Sequence, residues 1–325
     1  MTKDKILIIG ANGQIGSVLT KILRQNYGHD NVIPTDIHLP TDGNNYLPFE
    51  ILDATDSAKL AYIIERYRIT QIYHLAAILS AKGEINPLDT WNTNMDCLFN
   101  VLDAARHYKA QKVFFSSTIA VFGSNTPRVM TPQDTIRTPE TVFGMSKVAG
   151  ENWCSYFFNR YGVDVRGLRF PGLVSSESKT GSSATDYASD MIHSAVKEET
   201  FECYVKADTR LPMIFIDDAV RAATELMEAP AHKITIRSSY NLMSMSFAPA
   251  DLAAEIKKYI PGFRISYKHD SRNDFVNTLP ESIDDTTARR DWNWTPQYDL
   301  GKMTEDAVKR LKKKLETPKA FVLAD

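Results

Sequence analysis

Short apolar, β-branched runs alternate along this chain with longer stretches whose apolar positions recur at helical spacing. The runs at 5–10, 32–36, 71–75, 112–116 and 163–169 are nearly continuous in apolar character, which predicts parallel strands covered on both faces. Between them the spacing predicts helices over 14–26, 57–67, 87–108 and 141–161. Strand and helix in strict alternation build a parallel sheet, and right-handed crossovers wind it in two directions from its middle.

After Arg169 the pattern changes. Residues 174–184, rich in Ser, Gly and Lys, read as a loop, followed by a helix over 186–198 and a strand over 201–206. The segments 213–216, 217–227 and 239–242 read as a strand, a helix and a strand that return to the main sheet. Segments 249–259, 264–267 and 304–315 complete a smaller, mostly helical lobe. The expected fold is therefore α/β, a doubly wound parallel sheet with an interleaved C-terminal lobe. Residues 1–171, with 213–242 returning, form the first domain; 172–212 and 243–316 form the second, and 317–325 read as a disordered tail.

Composition narrows the function. A chain of 325 residues with 43% apolar and 24% charged residues is ordinary for a globular enzyme. A formal net charge of -2 speaks against nucleic acid as a partner. No apolar run nears the roughly 18 residues that cross a bilayer, so no membrane is expected. The first residues do not read as a signal peptide, and a cytoplasmic protein is expected. Cys97, Cys154 and Cys203 are scattered, which suits free thiols in a reducing compartment. Neither they nor the seven histidines have metal-ligand spacing, and no metal is expected. The basic end of the last helix, Lys309 to Lys314, complements the helix dipole.

The chemistry starts at the first strand. Ile6-Leu7-Ile8-Ile9 runs into Gly10-Ala11-Asn12-Gly13-Gln14-Ile15-Gly16, which is strand, tight turn and helix start. Gly10 permits the turn, Gly13 admits a pyrophosphate against the backbone, and Gly16 lets helix and strand pack closely. Asn12, Gln14 and Ile15 belong to the same cradle at the positive end of the helix. Asp36, twenty residues beyond Gly16, can accept from an adenosine ribose and repel a 2′-phosphate, which favours NAD. By itself Asp36 would be a loop cap before Pro40, and Asp53 a helix cap before Ser57.

The Gly-x-x-Gly-x-x-Gly spacing resembles the extended short-chain dehydrogenase/reductase superfamily. So do His74-Leu75-Ala76-Ala77, the run Ser117 to Gly123, Phe143-Gly144-Met145-Ser146-Lys147 and Arg169-Phe170-Pro171-Gly172. A Rossmann-type sheet is what this resemblance implies, with Asp53 at the adenine, Leu75, Ala76, Ala77, Lys147 and Pro171 along NAD, and a homodimer formed by the helices near 87–108 and 141–161. His74 is expected to be structural.

Narrower features are similar to the threonine dehydrogenase branch of the superfamily: Leu79-Ser80-Ala81, Thr185-Asp186-Tyr187-Ala188, Thr209 to Met213, Met245-Ser246-Phe247 and Ala288 to Trp292. The branch implies NAD-dependent oxidation of the β-hydroxyl of L-threonine to 2-amino-3-oxobutyrate. Ser80, Thr118, Phe143, Thr185 and Asp186 would line the substrate pocket. Taken alone, Thr185-Asp186 is an N-cap, and Arg210 is as well suited to the surface as to a carboxylate.

The superfamily uses a tyrosine as general base four residues before a lysine that lowers its pKa. Here Thr118 and Lys147 are in place, but Phe143 stands at the tyrosine position and has no ionisable oxygen. Three explanations are open: an engineered change that traps a substrate complex, a natural loss of activity, or proton transfer by Thr118 and water. The intact substrate motifs favour the first. Outside the family pattern, Phe143 and Lys147 are a core aromatic and a solvated lysine. A second departure is Leu279-Pro280 in place of Trp-Pro. Two competing readings are a nucleotide-sugar epimerase or dehydratase and a non-catalytic NAD(H) sensor.

Overall fold

The computed structural model describes residues 4–40, 47–176 and 183–316. Its first half follows the expected alternation: β1 (Ile6–Ile9), α1 (Gln14–Tyr27), β2 (Val32–Asp36), β3 (Glu50–Ile51), α2 (Ser57–Tyr67), β4 (Gln71–His74), α3 (Ser80–Gly83), α4 (Pro87–His107), β5 (Lys112–Thr118), α5 (Val142–Tyr161) and β6 (Val165–Phe170). The second half contains β7 (Gly172–Val174), α6 (Tyr187–Glu198), β8 (Thr200–Cys203), β9 (Leu211–Phe215), α7 (Ile216–Glu228), β10 (Tyr240–Asn241) and β11 (Met245–Phe247). It continues through α8 (Pro249–Lys257), β12 (Arg264–Tyr267), α9 (Ser271–Val276), α10 (Thr286–Trp292) and α11 (Leu300–Glu316).

Seven strands form one sheet in the order β10-β6-β5-β4-β1-β2-β3, and every neighbouring pair is parallel. This is the doubly wound α/β fold that the alternation predicts. Side chains of β1 divide by parity. Ile6 and Ile8 join the core shared with α1 and α7, while Leu7 and Ile9 join the core shared with α2, α4 and α5. Helix ends follow local chemistry. Asp56 caps α2 by accepting from Lys59 N, Thr141 caps α5 by accepting from Gly144 N, and Gly162 ends α5 with φ 71°.

One expectation is corrected. The strand foreseen at 213–216 does not rejoin the main sheet. β9 is the middle strand of a separate three-stranded sheet, antiparallel to β11 and parallel to β7. Its run Leu211-Pro212-Met213-Ile214-Phe215 is wholly buried, as a main-sheet strand would be, so its apolar character does not reveal which sheet it joins. The segment at 239–242 does return, with β10 parallel to β6. The tail foreseen at 317–325 lies outside the described residues, as does most of the loop at 174–184. Among the described residues no helix is long and apolar enough to cross a membrane.

Candidate active site

The strand order reverses between β1 and β4, and an open parallel sheet leaves a crevice beyond the carboxyl ends of such a pair. The glycine turn lies at its floor. Gly10 has φ 92°, and a Cβ there would lie 2.8 Å from Ala76 N; a Cβ on Gly16 would lie 2.2 Å from Gly10 O. Gly13 is the N-cap of α1 and offers no side chain to its first N–H groups, which leaves the positive end of the helix open to an anion. Gln14 and Ile15 begin the helix. Leu75 N and Ala76 N donate to Ile9 O at 2.9 and 3.0 Å, which sets Ala76 and Ala77 beside the turn. Asp36 closes the far side. Its Oδ2 accepts from Asn12 N at 2.9 Å and its Oδ1 from Ile37 N at 2.8 Å, while Asn12 Nδ2 donates to His38 O at 2.6 Å. A cradle that a Cβ would fill, with a carboxylate at its rim, fits a dinucleotide with a free ribose diol. Asp53 is not the cap of α2, a role Asp56 takes; its Oδ1 accepts from the Thr55 N and hydroxyl at 2.9 and 2.8 Å.

The far wall of the crevice is the end of β5 and the start of α5. Thr118 ends β5, and its hydroxyl accepts from Ala120 N at 3.1 Å. Gly144 brings α5 against this turn, since a Cβ there would lie 2.2 Å from Ala120 O. Phe143 and Lys147 follow one another by a helical turn and are both buried, at 8% and 5% exposure. The solvated lysine of the unaided sequence is thereby corrected. Lys147 Nζ donates to Ser116 O at 2.7 Å and lies 4.8 Å from the Phe115 ring centroid and 5.6 Å from that of Phe143. Burial pushes its pKa down to about 8. Behind it His74 is stacked on Phe115 with Nδ1 unpartnered, and burial, with Lys147 nearby, holds its pKa down to about 3. A neutral, enclosed imidazole fits the structural role expected of it.

Beneath this wall lies a buried ionic network whose central carboxylate no motif announced. Glu151, fully buried on α5, accepts from Arg169 Nε at 2.9 Å and Nη2 at 2.8 Å, from Ser117 Oγ at 2.7 Å and from Arg137. Arg169 also donates to Asn241 Oδ1 and Gln133 O, both at 2.9 Å. Ser117 is committed to this network, which leaves Thr118 as the hydroxyl of the wall. Two more unforeseen residues fasten α5. Glu84 Oε1 accepts from Val142 N at 2.9 Å, and Asn94 bridges Ile78 N, Ile78 O and Ser146 Oγ at 2.8, 3.1 and 3.2 Å. Polar residues on exposed-looking helical turns give no sequence signal of such long-range partners.

Ser80 is the buried first residue of α3, just beyond the segment held by Asn94. On the other lobe, Pro171 is buried between β6 and β7, and a Cβ on Gly172 would meet Thr185 Cβ at 3.0 Å. Thr185 is therefore packed against the Pro171-Gly172 segment. Its hydroxyl lies 3.0 Å from Ser183 Oγ. Asp186 does not cap α6 with its side chain; it accepts from Ser183 N at 3.0 Å. Arg210 takes the surface role, donating to Ser246 O and to Asp251 at 2.7 and 2.9 Å. Leu279 is buried in the larger core. Among the described residues, no group of three His, Cys, Asp or Glu side chains is placed to hold a metal.

This geometry agrees with the likeness of the chain to known proteins. The family described as the NAD dependent epimerase/dehydratase family matches residues 6–242. An uncharacterized epimerase/dehydratase of Staphylococcus haemolyticus (strain JCSC1435) is 42% identical over 314 residues, covering 96% of this chain and 98% of the relative. The holo structure of an L-threonine dehydrogenase from Cupriavidus necator is 50% identical with a TM-score of 0.93, covering 95% of this chain and all (100%) of that one. A monomeric L-threonine 3-dehydrogenase from a metagenome, in its apo form, is 45% identical with a TM-score of 0.92, covering 96% and 100% of the two chains.

Proposed function

The chain belongs to the NAD dependent epimerase/dehydratase family, and from that premise we propose that it oxidises the β-hydroxyl of L-threonine to 2-amino-3-oxobutyrate. The observation that carries this reading is that Thr118 on β5 pairs in register with Phe170, directly before the Pro171-Gly172 segment on which Thr185 packs, while Lys147 of α5 is bonded to Ser116 on the same strand. The likeness to two L-threonine dehydrogenases over nearly the whole chain supports the substrate.

NAD is the cofactor, and when bound it supplies the hydride acceptor. Gly10, Asn12, Gly13, Gln14, Ile15 and Gly16 hold its pyrophosphate, Asp36 its adenosine ribose, and Asp53 its adenine edge. Leu75, Ala76, Ala77, Lys147 and Pro171 flank the remainder. Thr118 donates or accepts at the substrate oxygen and fixes its position. Ser80, Thr185 and Asp186 receive the amino-acid end, and Phe143 closes the pocket with an apolar ring. Because that ring has no oxygen to accept a proton, turnover is slow by comparison with a tyrosine at the same place, a loss of about 10²–10⁴-fold for a missing acid–base group. Two copies of the chain pair through α4 and α5.

Thermal denaturation tests the substrate assignment. NAD alone is expected to raise the melting temperature, and L-threonine to raise it further only when NAD is present, because each binds the folded state alone. A rise with a UDP-sugar and none with L-threonine would instead support a nucleotide-sugar enzyme. A rise with NAD and no second ligand would support a sensor.

A further inference from the structure

We propose that Lys147, as its neutral amine, takes up the hydroxyl proton of the substrate in this chain. The proposal rests on the dehydrogenase reading above and deepens it, because Phe143 leaves that proton without an acceptor.

The case is first geometric. Lys147 stands one helical turn beyond Phe143, and its Nζ rests on Ser116, two residues before Thr118 on the same strand. An ammonium carries three donors, and among the described residues this one has a single acceptor, Ser116 O, with the Phe115 and Phe143 ring centroids 4.8 and 5.6 Å away. Ring faces attract a cation far less than a carboxylate does. The groups facing Nζ do little to keep it charged. His74 on β4 is neutral, and burial raises the Cys97 thiol of α4 to about 12 and the Cys154 thiol of α5 still higher. Glu151, one turn further along α5, is matched by Arg137 and Arg169. A buried lysine so placed releases its proton to become a base near neutral pH, the range in which a general base works best.

The proposal sets one water between Thr118 and Lys147, at the place a phenol oxygen on residue 143 would take. In the proposed step the hydroxyl proton of the substrate, held at Thr118, passes through that water to Lys147 Nζ. The hydrogen on the same carbon leaves with its electron pair to oxidised NAD, the oxidant of the proposed reaction. The C–O bond becomes C=O, and the products are the ketone, NADH and the Lys147 ammonium.

The test compares the chain, Lys147→Arg and Phe143→Tyr in L-threonine-dependent NADH formation between pH 6.5 and 10, with NAD affinity measured on each so that loss of the base is told from loss of the cofactor. Arginine keeps the positive charge but does not deprotonate. We expect the unaltered chain to show a slow rate rising through about pH 8, and Lys147→Arg to lose it by at least about 100-fold. In Phe143→Tyr the rise centred on the lysine should be lost, since a phenolate then serves as the base. A second readout needs no turnover: ¹³C NMR of the chain labelled at the lysine Cε should show a signal titrating near pH 8 that is missing from Lys147→Arg, which tells it from Lys112, whose pKa burial also lowers. No such signal titrating below about 9.5 would overturn the proposal. So would a rate by Phe143→Tyr with none by the unaltered chain at any pH, although the dehydrogenase reading would then stand. No NADH from either would overturn both.

Discussion

The proposed activity turns on Phe143, and the residue whose surroundings were least legible is Lys147. The sequence presents them as an ordinary helical pair, and only the superfamily resemblance singles them out. What the fold adds is burial: α5 is pressed so closely on the turn after β5 that the lysine reaches the backbone of Ser116 and is withdrawn from bulk solvent. His74 is buried behind the same wall, and its cost can be measured. Its pKa is about 3 in the folded chain against an ordinary value of 6.5. Between those values the unfolded chain binds a proton that the folded chain does not. Stability therefore rises with pH across that window and falls on acidification through it. Replacing His74 by Leu should flatten the pH dependence of the denaturation free energy between pH 6.5 and 4.5, by up to about 1.4 kcal/mol per pH unit. An unchanged slope in urea titrations would show that the imidazole is charged in the fold.

At the scale of elements, the main-sheet strands and their covering helices were legible because each carries its own periodicity and caps. Sheet membership was legible only in part. β9 and the main-sheet strands are all continuous apolar runs, and the difference lies in partners such as Met245 and Gly172 that are distant in sequence. Glu151 was missed for a similar reason. Four residues after a lysine it resembles a surface ion pair, but its partners Arg137 and Arg169 come from a loop and from β6. Helices α4 and α5 also leave apolar side chains uncovered: Leu88 and Trp91 on one, Met145, Trp153 and Tyr156 on the other. Trp153 makes an edge contact with Phe99 at 5.0 Å, so the two helices share one aromatic surface. If two copies pair there, sedimentation should give twice the mass of one chain, and Trp153→Lys with Tyr156→Lys should reduce it to one. A single-chain mass for the unaltered protein would contradict that pairing, and a monomeric relative at 45% identity gives the contrast.

The whole molecule explains why binding and turnover can be separated. The cofactor cradle depends on Gly10, Gly16 and Asp36 at the reversal point of a rigid parallel sheet, and all three follow from local sequence. The chemical wall depends on α5, which Thr141, Glu84, Asn94 and Glu151 hold in place through contacts that span the chain. The proposed substrate side draws on the second lobe, where Thr185 is packed on Gly172. A change confined to the ring at 143 leaves the cradle and both lobes untouched, so NAD should bind with full strength while the reaction runs slowly. The most direct measurement is the initial rate of NADH formation from L-threonine and NAD by Phe143→Tyr and by the unaltered chain, with NAD affinity measured on both. We expect a gain of about 10²–10⁴-fold with NAD affinity unchanged. No gain in rate, with NAD still bound, would contradict the assignment of this site to threonine oxidation through a base at position 143.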